Sequence, residues 1–162
     1  MTAAELAALL LEVYKDRAAL RDRHVAGARA VSSYEFNNTY QYIVAREDAQ
    51  VSWIRRALEE SGVPVPTDVP ALSVPGGPGR GAEQAVIADD SRLEQAFLER
   101  WASRVPSMSN ARHRRMLQVI LGETAEHKRF FDQMIEGRTD LLGRRHANVG
   151  TGGGVLPTRW VE

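Results

Sequence analysis

GVPVPTDVPALSVPGGPGRGA, residues 62–82, is the stretch on which the fold turns. It holds five of the chain's seven prolines and five of its thirteen glycines. Each proline removes a backbone donor and fixes φ, and glycine favours turns over regular elements, so neither a helix nor a central strand can run through it. It reads as a long connection, and what it connects decides the architecture.

Upstream, Ser32 and Glu35 have the spacing of a capping box, which predicts a helix starting after Ser32 and running to about Ser61, where Gly62 and Pro64 stop it. Phe36, Tyr40, Ile43, Glu47, Gln50, Ile54 and Ala57 step along one face of it. An earlier helix is predicted over roughly residues 3–23, with Leu6, Leu10, Val13, Arg17 and Leu20 in its stripe and Gly27 in the break that follows. Downstream, Ser91 and Glu94 again match a capping box and place a third helix at the latest from Ser91 to near Val105 and Pro106. A fourth is predicted from about Ser109 to Gly137, its stripe being His113, Met116, Ile120, Glu123, His127, Phe130 and Met134. No stretch alternates as a strand would.

Short links make helices one and two, and helices three and four, antiparallel hairpins. The second helix, about 29 residues, is about 43 Å long, and twenty extended residues span up to about 66 Å. The long link can therefore return along the whole bundle and start helix three parallel to helix two. The expectation is an all-α four-helix bundle over residues 1–137, two antiparallel hairpins joined by a Pro/Gly-rich crossover at 62–82, with a non-helical tail over 138–162.

Composition narrows the function. Lys+Arg and Asp+Glu are both 21, so no net charge draws the chain to nucleic acid or an anionic membrane. The absence of cysteine excludes disulfides, thiolate metal sites and a Cys nucleophile. No apolar run approaches the roughly 18 residues of a membrane helix, and Glu5 interrupts the only leader-like stretch, so a cytoplasmic protein is expected.

The informative residues are those that break the apolar stripes. Glu47 and Gln50 sit mid-stripe on helix two, Glu123 and His127 on helix four, and Glu94 on the helix-three face with Ile87, Phe97, Leu98 and Trp101. A carboxylate in a core costs several kcal/mol unless it is paired or holds a metal. With hairpin midpoints near residues 28 and 107, Glu47 falls opposite residue 9, within a turn of Glu12, and Glu123 opposite residue 91, within a turn of Glu94. Glu12, Glu47, Glu94 and Glu123 can thus meet near mid-bundle. Ordinary structural roles also fit. Glu35 and Glu94 can be caps, Gln50 a satisfied core amide, and His113 a rim residue at a helix start. Tyr14, Tyr40, Trp53, Trp101, Phe130 and Phe131 can be core packing, although Tyr40 lies two turns before Glu47 and could serve a metal from a second layer.

Tyr-Gln-Tyr-Ile-Val-Ala-Arg-Glu-Asp-Ala-Gln, Tyr40 to Gln50, and Ile-Leu-Gly-Glu-Thr-Ala-Glu-His-Lys-Arg-Phe-Phe, Ile120 to Phe131, resemble the second- and fourth-helix motifs of the ferritin-like superfamily, which includes rubrerythrins and bacterial ferritins. In that family helices one and three each supply a Glu and helices two and four each supply Glu-x-x-His, to hold two metal ions. Here Gln50 stands in one His position, Glu126 in the other, and His127 follows one residue late. The resemblance implies a ferritin-like bundle binding Fe or Mn, singly or as a dinuclear pair, among Glu12, Glu47, Gln50, Glu94, Glu123, Glu126 and His127, and an oxidoreductase that reacts Fe(II) with oxygen or peroxide. Ligands that are mostly oxygen favour Mn or Fe over Zn or Cu. The alternative is a metal-free bundle used for assembly or partner binding. The tail adds a Gly152–Gly154 spacer before Val155–Val161, which predicts that Trp160 is buried against a second copy in a homo-dimer or higher homo-oligomer, or that residues 155–162 dock on a partner.

Overall fold

The structure, a computed structural model, describes residues 1–76 and 80–143. Its elements are α1 (Ala3–Ala30), α2 (Tyr34–Glu60), α3 (Arg80–Ala102), α4 (Ala111–Ile135) and a short 3₁₀ turn at Leu141–Gly143. The described residues contain no strand, and none of their helices is long and apolar enough to cross a membrane. The expectations for residues 144–162, including Trp160 and the docking segment 155–162, fall outside the described residues.

Each hairpin packs its own two helices, and α1 also lies against α3 and α2 against α4. Cross-helix bonds fix the directions. Glu12 meets Arg104, Arg23 meets Asp89 and Ser32 meets Glu83, so α1 and α3 are antiparallel. Glu60 meets Arg112 and Gln50 meets Glu123, so α2 and α4 are antiparallel as well. Helices α2 and α3 therefore run parallel, and the connection must return the length of the bundle. Its start packs Val63 and Val65 on the core, and Ser73 O later accepts from Arg23 Nε at 3.1 Å. Gly62 ends α2 at φ 69°, a left-handed conformation that favours glycine, with Val63 N donating back to Leu58 O at 3.0 Å.

One helix end and two helix caps differ from expectation. Helix α1 opens with a capping box formed by Thr2 and Glu5 and continues through Gly27 to Ala30. Gly27 is not a breaker. A Cβ there would lie 3.0 Å from Asp90 Oδ2 and 3.1 Å from both Arg23 Nη1 and Tyr40 Cε1, so a larger residue would force these side chains to give way. The cap of α2 is Ser33, which accepts from Phe36 N, while Ser32 donates to Glu83 Oε2. Helix α3 begins well before Ser91, whose hydroxyl donates to Asp132 Oδ1 at 2.5 Å from inside the helix. Glu94 is consequently mid-helix and not a cap.

The core is two apolar clusters with a polar layer between them. One holds Leu10, Ile54, Leu58, Trp101, Leu117 and their neighbours. The other holds Ala28, Tyr40, Ile43, Phe131 and Met134. Arg17, His24, Glu47, Gln50, Glu94, Thr124 and His127 interrupt them, every one with no exposed surface. Trp53, expected in the core, is instead exposed beside the Arg46 guanidinium.

Candidate metal centre

The first hairpin turns about Ser32, so Glu47 faces the residue equally far before it, Arg17. Arg17 Nη1 donates to Glu47 Oε1 at 2.7 Å and lies 3.6 Å from Glu94 Oε2. Its Nη2 donates to Thr124 Oγ1 at 2.5 Å, and the Thr124 hydroxyl donates to Ile120 O at 2.8 Å. The guanidinium rests 4.0 Å over the Phe97 ring centroid. Two turns further along α1, His24 Nδ1 donates to Glu47 Oε2 at 2.9 Å, and His24 Nε2 lies 3.6 Å from Asp90 Oδ1. His127 Nδ1 is 3.5 Å from Glu94 Oε1.

His24, Glu47 and Glu94, from three helices, can hold a metal ion: each offers a ligand atom, and these atoms lie within 4.8 Å of one another. His127 adds a fourth helix at the edge of the group. Several buried atoms here have no hydrogen-bond partner, namely both Glu94 oxygens, both His127 ring nitrogens and His24 Nε2. Carboxylate oxygens and imidazole nitrogens in that state are the donor set a divalent cation takes.

Electrostatics couples the group. Burial opposes charging of His24, but Glu47, with its hydrogen bond, Glu94 and Asp90 outweigh it and push the imidazole up to about 9. Burial pushes Glu47 up, yet His24, Arg17 and His127 together hold it below the usual carboxylate range. Asp90 is raised to about 6 by burial, against the pull of His24, Tyr40 and Arg23. Tyr40 donates a short hydrogen bond to Asp90, and burial together with that carboxylate drives its phenol well above its ordinary value.

Of the residues the sequence singled out, Glu47, Glu94 and His127 meet in this layer. Gln50 is buried in the adjoining turn, where its Nε2 donates to Glu123 Oε2 at 2.6 Å. Glu123 is partly exposed and ion-paired with Arg46. Glu12 does not join them: it sits at the surface, 2.8 Å from Arg104 Nη1 and 3.1 Å from Arg100 Nη2. Glu126 is at the surface too, 3.6 Å from Arg129. The convergence expected for Glu12 fails because Gly27 continues α1, which moves the hairpin midpoint to Ser32 and the residue facing Glu47 to Arg17. His113 lies at the α4 start as expected, its backbone N–H bonded to Asn110 Oδ1, with burial lowering its imidazole.

His24, Arg17 and Asp90 are the members sequence reasoning missed or left unassigned. The signal for His24 was present, since it continues the stripe four residues after Leu20. Asp90 likewise lies between Ile87 and Glu94 on the inner face of α3.

No family model, curated protein or solved structure matches this chain.

Proposed function

We propose that the protein is a ferritin-like bundle that holds one redox-active divalent cation, Fe(II) or Mn(II), at His24, Glu47 and Glu94 with His127 beside them, and acts as an oxidoreductase toward oxygen or peroxide. The observation that carries this reading is the set of buried, unpartnered ligand atoms on Glu94, His127 and His24. Each such atom costs about 1–3 kcal/mol when left unpaired, and a cation among them removes that cost. The two-histidine, two-carboxylate composition suits Fe or Mn. A bound ion of either kind supplies one-electron exchange with oxygen or peroxide.

The chain's own residues set the terms. Arg17 supplies a fixed positive charge between Glu47 and Glu94, where a dinuclear centre would place a second cation. That favours one ion over two. His24, whose Nδ1 is bonded to Glu47, must lose one proton before it ligates, so metal binding releases a proton from the site. Arg17, through Thr124, Glu47 and Phe97, is held too firmly to leave. The crossover topology and the inward-facing ligands on all four helices support the ferritin-like assignment.

A second reading has its own observation. Arg17 and a protonated His24 already place two cations against Glu47 and Glu94, as a metal-free bundle serving assembly or partner binding would need. Metal analysis separates the two. Protein purified without chelator and loaded anaerobically with Fe(II) should hold about one ion per chain, the ratio a single ligand set allows. Less than about a tenth of an ion per chain, with excess Fe(II) and folded protein, rejects the metal reading.

A further inference from the structure

Glu47, Glu94, His24 and His127 have no exposed surface, so any ion that reaches them must cross a layer of protein. Most sides are closed by packed or bonded groups. Toward α3, the Arg17 guanidinium lies on Phe97. Toward the first hairpin, the rings of His24, Tyr40 and Phe131 pack against one another at tilted angles, with His24 and Phe131 centroids 5.1 Å apart. On the crossover side, Arg23 is tied to Ser73 O and Asp89.

The seam between α2 and α4 is different, because polar side chains occupy it from the surface to the turn next to the site. Gln50 follows Glu47 by one turn of α2, and Glu123 precedes His127 by one turn of α4, so the pair forms the next layer of the same faces. Gln50 is fully buried, its Nε2 donates to Glu123 Oε2 at 2.6 Å, and its Oε1 has no hydrogen-bond partner. The Glu123 side chain is 21% exposed and carries a short ion pair to Arg46, which is 36% exposed. Glu126 adds negative charge one turn beyond Glu123 on the same helix.

We propose that this seam is the loading route of the metal centre, with Glu123 as the carboxylate that captures a divalent cation, Gln50 as the neutral oxygen that passes it inward, and Arg46 as the latch that must release Glu123 first. The proposal rests on the metal-binding reading above. Its chemistry is that of hard cations: a carboxylate competes well for a partly hydrated ion, and an amide oxygen holds it more weakly and lets it move on. The guanidinium and the cation compete for the same Glu123 oxygens, so the latch opens only to an ion able to displace it.

Stopped-flow absorbance with Co(II) as probe, on the full metal-free chain, tests this by following the ligand-field bands that develop on binding. Arg46→Met should speed loading about threefold, the size expected for losing one part-exposed ion pair. Glu123→Gln, which can still accept the Gln50 hydrogen bond, should slow it about tenfold through loss of the capturing charge. Both should bind the same final amount of Co(II) as the wild type. If Co(II) binds the wild type and both variants load within about twofold of it, the route is refuted while the metal site stands. If the folded wild type binds no Co(II), the metal reading fails and the route with it. The two variants act in opposite directions, so a folding defect in one leaves the other to decide.

Discussion

Replacing Arg17 with methionine, which keeps most of the volume and removes the charge, probes the centre of the polar layer. Glu47 would lose a 2.7 Å hydrogen bond and its buried cation, Glu94 would lose the charge 3.6 Å away, and Thr124 Oγ1 would lose its donor. Breaking a buried pair by removing one partner costs about 3–5 kcal/mol. For a domain of this size each kcal/mol shifts Tm by roughly 2–4 °C, so the variant should melt about 10 °C lower in EDTA. Adding Glu47→Gln removes the stranded charge, and the double variant should recover part of the loss, a coupling that a double-mutant cycle reads directly. Metal should do the same by another means. Saturating Mn(II) at a hundred times Kd stabilises the wild type by about 2.7 kcal/mol, and it should raise Arg17→Met further, because the ion also neutralises the exposed cost of Glu47 and Glu94. Thermal melts by circular dichroism, with EDTA and with Mn(II), give all four values. A variant as stable as the wild type in EDTA to within about 0.5 kcal/mol would refute the argument.

The pH dependence carries a definite sign. His24 has its folded-state value raised to about 9, so its contribution is complete below its ordinary value near 6.5 and is lost as pH climbs through 9. That amounts to roughly 3 kcal/mol for this fully buried group. Metal-free protein should weaken over that window in urea melts, and Mn(II) affinity should rise about tenfold per pH unit across it as the ion displaces one proton; a flat affinity profile contradicts His24 as a ligand. Gly27→Ala places a methyl 3.0 Å from Asp90 Oδ2 and 3.1 Å from Tyr40, and should destabilise by about 1–3 kcal/mol despite alanine's better helix propensity; a more stable variant would show that the α1–α3 approach is slack.

The architecture was legible because its signals are local and strong. The prolines of 62–82 exclude regular structure on their own, and the stripes on α2 and α4 are continuous enough to place Glu47 and His127 inside. Boundaries were harder. Gly27 reads as a stop from composition, because the reason for a small residue there, the close approach of Asp90 and Tyr40, comes from elements far away in the chain. That single misreading truncated α1 and shifted the facing residue from Arg17 to residue 9, which is how Glu12 entered the candidate site and His24 was left out. Ser91 and Glu94 show the same limit at α3: a capping-box spacing is sequence-local, whereas Ser91 is bonded to Asp132 on another helix.

The physical cost of the polar layer is the strongest reason to look for function there. A bundle built for stability alone would join its two apolar clusters through the positions of Arg17, His24, Glu47 and Glu94, and replacing such a buried ionic set with well-packed apolar residues is often neutral or stabilising by about 1–4 kcal/mol. This chain instead places ionisable side chains from every helix at one level and leaves Glu94 and His127 without hydrogen bonds. Ion pairing accounts for Arg17, Glu47 and the Nδ1 side of His24, because each has a partner within 3 Å. It does not account for Glu94, whose nearest basic neighbours, His127 Nδ1 and Arg17 Nη1, stand at 3.5 and 3.6 Å. The unsatisfied half of the layer, Glu94 with His127, is therefore where a bound cation would contribute most.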